Sequence, residues 1–204
     1  MPKLVDTQAR RRLVAEATLA LIRQRGPAAV TQRGVAREAG IGLSSLQANW
    51  PTQERLLDHA VAWVRDVHVQ RFRDALFRRR SRDAGFLAEA LLPSDEEAPL
   101  DRAWTVLSGC EGLSANSRRA VDLDRRGRRV QCHETLLDMG LGGSEDLNEA
   151  VVSLLAVVDG LFLARCDTVD QIGWTRASHV IAETLALLAQ HLVSPAEGRP
   201  GYHG

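Results

Sequence analysis

Three breaks in a chain that otherwise reads as continuous helix constrain this sequence most. They are Gly26-Pro27, Gly40-Ile41-Gly42 and Trp50-Pro51. Glycine accepts the left-handed cap that ends a helix, and proline cannot continue one. The breaks leave one long helix and two short ones. The first is expected over Thr7–Arg25, with Leu13, Val14, Ala17 and Leu21 recurring every three or four residues as an apolar face. Thr31 stands where an N-cap belongs. Residues 32–39 then form a short helix that buries Val35, Ala36 and Ala39. Residues 43–49 form another, anchored by Leu46, and Thr52 caps the next helix. Two short helices joined by a glycine turn, behind a third, make a helix-turn-helix unit.

The second short helix, Leu43-Ser44-Ser45-Leu46-Gln47-Ala48-Asn49, is apolar on one side and polar on the other. Its hydroxyls are small enough for close approach to a groove. Gln47 and Asn49 carry the paired donor and acceptor that suit adenine. Arg10, Arg11, Arg12 and Arg33 are candidates for phosphate contacts. Thr31 with Gln32, and Gly42 with Leu43, open the two short helices and complete the expected DNA-binding set. The chain is neutral overall, but residues 1–50 hold eight basic residues against three acidic ones. The resulting surplus of five sits at the end expected to meet phosphate, and the remainder carries the matching deficit. Double-stranded DNA is therefore the expected partner.

The rest also reads as helix, so the fold class is all-α. A long helix is expected over 53–79, then helices over 100–115, 117–137, 145–166 and 174–192. A glycine-rich loop spans 139–144, and the polar tail 194–204 is expected to fray. The expected domains are 1–52 for DNA binding, 53–193 for ligand binding and dimerisation, and 194–204 as a tail. The basic cluster Arg78-Arg79-Arg80 with Arg82 lies at a helix C-terminus, where the dipole favours it, and reads as structural. Cys110, Cys132 and Cys166 have no disulfide or zinc spacing. Cys132-His133-Glu134 points in three directions on a helix, so no metal site is expected. No cofactor and no catalytic signature is expected either. With no signal-peptide pattern and no apolar run of membrane length, the expected location is cytoplasmic.

The run from Arg12 to Leu57 resembles the DNA-binding domain of the TetR family of repressors. The matching residues are Ala17, Leu21-Ile22, Gly26, Ala29, Thr31, Arg33, Val35-Ala36, Ala39-Gly40-Ile41, Leu46, Trp50 and Leu56-Leu57. The resemblance implies a dimer that binds a palindromic operator and is released by a small molecule. The chain departs from the family at the reading face. Gln47 and Ala48 replace aromatic residues, Asn49 and Trp50 replace His and Phe, and Gln53 replaces a phosphate-contacting lysine. Two expected backbone contacts are thereby lost. First-helix arginines that compensate, weak binding and a different operator all remain open.

The body more loosely resembles the betaine-regulator (BetI-like) branch, through Leu91-Leu92-Pro93, Arg102–Trp104 and Val158-Asp159-Gly160-Leu161. That likeness implies a four-helix dimer interface with Leu154, Val158, Leu161, Ile181, Leu185 and Leu188 in its core. Filling the core of a single chain is the alternative for the same six. An apolar ligand pocket between helices would draw on Trp104, Ser108, Glu111 and His133, each of which also fits a core or surface role. Three functions stand at this point. One is a ligand-responsive repressor. Another is an interaction protein that kept the fold but lost tight DNA binding. The third, an enzyme, would need His133 or Glu111 to carry turnover.

Overall fold

The computed structural model describes residues 7–143, 145–169 and 171–193. They form α1 (Thr7–Arg25), α2 (Gln32–Glu38), α3 (Leu43–Asn49), α4 (Gln53–Arg78), α5 (Ala84–Leu91), α6 (Ala98–Leu107), α7 (Ala115–Asp138), α8 (Leu147–Cys166) and α9 (Trp174–Val193). No strand occurs among the described residues. The expected tail at 194–204 lies outside them.

Each expected break in the head is present, for a local reason. Gly26 and Gly40 have φ of 78° and 64°, a region that side chains with a Cβ rarely adopt. Thr31 Oγ1 accepts from the Gly34 N–H at 3.0 Å, and Thr52 Oγ1 accepts from the Arg55 N–H at 3.2 Å. A Cβ at Gly40 would meet no atom within 4 Å. Gly40→Ala therefore carries a backbone cost alone, about 1 kcal/mol. Thermal unfolding of that variant should show a midpoint roughly 2–4 °C lower. An unchanged midpoint would mean the turn relaxes into an ordinary conformation.

Val14, Leu21, Ile22, Val35, Leu46, Trp50, Leu56 and Leu57 pack the three-helix head, and their cluster runs without a gap into the body core. α4 joins the two. Its 26 residues span about 39 Å at 1.5 Å per residue. It packs against α1 at one end and against α5, α6 and α7 along the body. Leu13, read as a member of the apolar face of the first helix, is nearly half exposed.

The body corrects the sequence reading at two places. α5 was not expected. Asp83 caps it by accepting from the Phe86 N–H at 2.8 Å, and Phe86, Leu87, Ala88, Ala90 and Leu91 bury almost its whole circumference. A helix buried all round shows no amphipathic period. The helix expected over 100–115 ends at Leu107, because Gly109 and Gly112 break the following turn and Ser114 caps α7 instead.

Arg78, Arg79 and Arg82 of the basic cluster are paired within the body. Arg78 and Arg79 bind Glu89 of α5, and Arg82 reaches Asp138 of α7 at 3.4 Å. α8 is long and apolar enough, on length and composition, to cross a bilayer. The run-length reading passed over it because Glu149, Asp159 and Arg165 interrupt it. Arg165 is fully buried among protein groups, as in a core helix. Only a third of the apolar stretch of α8 is covered.

Leu154, Val158, Leu161, Ile181 and Leu185 are covered within the single chain, and Leu188 is half-buried. The first five thus have almost no side chain left to offer a partner. The apolar surface still open on α8 and α9 is Val152, Leu163 and Leu187, each more than half exposed.

Candidate nucleic-acid interface and body cavity

The head presents one polar face. Ser44, Gln47, Ala48 and Asn49 are exposed on α3, with Ser45 half-buried beside them, while Leu46 points inward. Gly42 and Leu43 open this helix, and no side chain caps its free N–H groups. Thr31, Gln32 and Arg33 open α2 next to it. A hydrogen bond joins the two helices: Gln47 Nε2 donates to Gln32 Oε1 at 2.9 Å, and Gln32 Nε2 donates to the Trp50 carbonyl at 3.1 Å.

Gln53 is turned away from this face and donates to the Pro27 carbonyl at 3.2 Å. Asn49 Nδ2 donates back to the Ser45 carbonyl at 3.2 Å. On α1, Arg12 pairs with Glu16 at 2.7 Å, while Arg11 is exposed and Arg10 is half-buried.

Beside the turn, Arg25, Arg33 and Arg37 line one depression with Thr31, and no carboxylate is in its lining. The sequence pointed to Arg33 alone. Arg37, one helical turn further on, and Arg25, in the last turn of α1, follow from spacing once the helices are placed. The head is fastened to α4 by His59, whose Nε2–H donates to the Arg11 carbonyl at 2.8 Å and whose ring meets Trp50 at 5.0 Å. Burial pushes its pKa down, and the Arg11 charge adds to that against the raising effect of the hydrogen bond. It is therefore neutral at neutral pH.

The body holds a cavity of about 170 Å³ between α4, α5, α7 and α8. Val69, Phe72, Ala90, Leu91, Leu123 and Phe162 form its apolar wall. Arg65 and His68 from α4, and Asp124, Arg128 and Gln131 from α7, form the polar part. The guanidinium of Arg128 lies over the Phe162 ring at 5.3 Å and 3.3 Å from Asp159. The buried Gln131 Oε1 has no hydrogen-bond partner.

The polar part of the lining continues into a charge network. His68 Nε2 meets Asp101 Oδ1 at 2.6 Å, and Nδ1 meets Asp124 Oδ1 at 2.9 Å. Both ring nitrogens face carboxylates, so both carry protons. Burial lowers the His68 pKa, but the two hydrogen bonds and the charges of Asp101 and Asp124 outweigh it and raise it to about 9. Burial raises both carboxyl pKa values, and the hydrogen bond and charge of His68 outweigh it, so they end below the usual carboxylate range. Arg71 completes the network, on Asp101 Oδ2 at 2.6 Å and on Glu97 at 3.1 Å.

The four ligand candidates separate. Trp104 is buried, edge-on to His68 at 5.5 Å, and with Ser108 lines a second cleft that shares Arg128 and Phe162 with the main cavity. Glu111 is exposed on a different cleft, with Pro27, Gln53 and Cys110 at the seam between head and body. His133 is half-buried on α7, 3.7 Å from Glu134.

Sequence reasoning missed His68, Asp101, Asp124, Arg128 and Gln131. The available signal was Asp124, Arg128 and Gln131 at i, i+4 and i+7 on one face of α7. The three free thiols differ: Cys132 and Cys166 are buried and pushed up to about 12, mainly by burial, whereas Cys110 is only half-buried.

No family model matches the chain. Over 78 residues it is 37% identical to the HTH-type transcriptional regulator PksA of Bacillus subtilis (strain 168). That match spans 38% of this chain and 38% of that protein. Among solved structures, a transcriptional regulator from Pseudomonas aeruginosa PAO1 superposes with a TM-score of 0.72 at 20% identity, over 93% of this chain and 95% of that one. A TetR-family regulator from Rhodococcus sp. gives 0.69 at 18% identity, over 88% and 98%. A regulator from Saccharomonospora viridis, solved in complex with choline, gives 0.67 at 18%, over 88% and 96%. The chain thus has the fold of the TetR-family transcriptional regulators, an N-terminal helix-turn-helix followed by a helical body.

Proposed function

We propose that this chain is a dimeric, DNA-binding transcriptional repressor that a small molecule releases from a palindromic operator. The observation that carries this reading is one shared helix. α4 begins at the helix-turn-helix, and its side chains also form a wall of the body cavity. A ligand that favours one position of α4 therefore biases the head. The reading face on α3 and the depression lined by Arg25, Arg33 and Arg37 supply base and phosphate contacts respectively. The open residues Val152, Leu163 and Leu187 on α8 and α9 are the apolar side chains that a second copy would cover.

The cavity also favours an effector class. Choline is bound by one protein of this fold, but a quaternary ammonium here would meet Arg65 and Arg128, while the carboxylate of Asp124 is already taken by the protonated His68. An apolar molecule ending in a carboxylate fits better, with its chain on Val69, Phe72 and Phe162 and its anion on Arg65 and Arg128.

The test is an electrophoretic mobility shift with DNA from the neighbouring promoter, across a low-salt series, repeated with octanoate and with choline. The expected result is a specific shift, reversed by octanoate and not by choline, with the octanoate effect lost in Arg128→Leu. Absence of any sequence-specific shift defeats the repressor. Release by choline alone defeats the effector class.

A second reading rests on Gln53, whose amide is held by Pro27 where the resembling family carries a phosphate contact. In that reading the chain is an interaction protein with weak DNA binding. It predicts that Gln53→Lys creates affinity the native chain lacks. Nanomolar binding of a short operator by the native protein excludes it.

A further inference from the structure

A carboxamide that reads a base must have its two ends told apart. Oxygen and nitrogen are nearly the same size, so an amide free to turn offers either a donor or an acceptor at a given point. On this head the choice is made by a carbonyl that can only accept. The Trp50 carbonyl takes the Nε2 of Gln32, which leaves Gln32 Oε1 facing the other way. That oxygen also only accepts, and it takes the Nε2 of Gln47. The nitrogen of Gln47 is thereby fixed toward α2. Its oxygen and its second N–H remain for the groove, in one plane and in one order.

Only adenine offers the matching edge in the major groove, an N6 donor beside the N7 acceptor. Guanine offers two acceptors, N7 and O6, and would set one against the Gln47 oxygen. The other nearby carboxamides are placed differently. Gln53 is bonded away from the face, and Asn49 sits on the last residue of α3, bonded back onto its own helix.

We propose that Gln32 and Gln47 form a preassembled adenine reader, with Gln47 on the base and Gln32 as a positioning residue that sets its orientation. The proposal rests on the DNA-binding reading above.

The experiment is selection of binding sites by the full chain from a randomised duplex library. Relative affinities for single-base variants of the selected site are then measured for the native protein, Gln47→Ala and Gln32→Met. Gln47 is exposed, so its alanine variant keeps the fold. The native protein should require adenine at one position of each half-site, by roughly ten- to a hundredfold over guanine. Gln47→Ala should flatten that position and leave the others unchanged. Gln32→Met keeps the length of the side chain but releases the amide, and should admit guanine there. Selected sites with no adenine position that responds to Gln47→Ala overturn the proposal while leaving DNA binding intact. If no sequence is enriched at all, both the proposal and the repressor reading fall.

Discussion

Arg165→Ala is expected to lower the thermal midpoint by roughly 10 °C, a larger effect than any other replacement proposed for this chain. The side chain is completely buried near the C-terminus of α8. Nε and Nη2 donate to the Pro93 carbonyl at 3.0 and 2.8 Å, Nη1 donates to the Ile172 carbonyl at 2.9 Å, and Nη2 also meets Asp95 at 2.7 Å. The guanidinium stacks over Trp174 at 5.5 Å. One residue thus ties the loop after α5 and the entry to α9 onto α8.

Asp95 is 81% exposed, so backbone carbonyls rather than a buried carboxylate satisfy most of this cation. Truncation leaves two carbonyls without donors and a cavity beneath Trp174. The cost is about 3–5 kcal/mol, from about 1–3 kcal/mol for each buried carbonyl left without a donor together with the packing lost beneath Trp174. At roughly 2–4 °C per kcal/mol for a chain of this size, that gives the stated fall. Arg165→Lys should recover less than half, because an ammonium cannot span the same fork. Asp95→Asn should barely move the midpoint. Thermal unfolding followed by circular dichroism measures all three, and a drop under about 3 °C for the alanine variant would sink the account.

Stability should also fall as pH rises from about 6.5 to 9, because of His68. Its pKa is about 9 in the folded chain and about 6.5 when unfolded. A raised pKa means that the folded state holds the proton more tightly. The contribution is therefore complete below about pH 6.5 and is lost as pH climbs through the folded value. A shift of this size corresponds to about 3 kcal/mol, shared with Asp101 and Asp124 because it is one set of interactions seen from both sides. The lowered pKa values of Asp101 and Asp124 act at the other end. Their contribution is present above about pH 4 and disappears as pH drops through the folded values. Denaturant midpoints should thus be highest between about pH 4 and 6.5. His68→Gln should remove the alkaline decline, and a decline that persists in that variant would assign it to other groups.

The head was readable because its signals are local. Gly26, Gly40, Thr31 and Thr52 each act on the turn they occupy, and a few neighbours in sequence suffice to interpret them. The body was less readable for two physical reasons. α5 is buried on nearly all sides, so Phe86, Leu87, Ala90 and Leu91 leave no polar face to mark a period. The cavity and its network join His68, Asp101 and Asp124 from three helices, and spacing within one helix cannot report such a meeting. The betaine-regulator likeness singled out Leu154, Val158, Ile181 and Leu185 for a dimer core, with the core of a single chain as the alternative, and neither likeness nor spacing separates the two. All four are buried within the single chain.

The uneven burial of the three thiols makes the protein its own attachment point. Cys132 and Cys166 hold their protons too tightly, and lie too deep, to react with a maleimide at neutral pH. Burial raises the Cys110 pKa as well, but this thiol is only half-buried, on the cleft where Pro27 of the head faces Glu111 of the body. A single fluorophore attached there needs no engineered cysteine. It stands on a cleft lined from both head and body, where a change in their packing alters its surroundings.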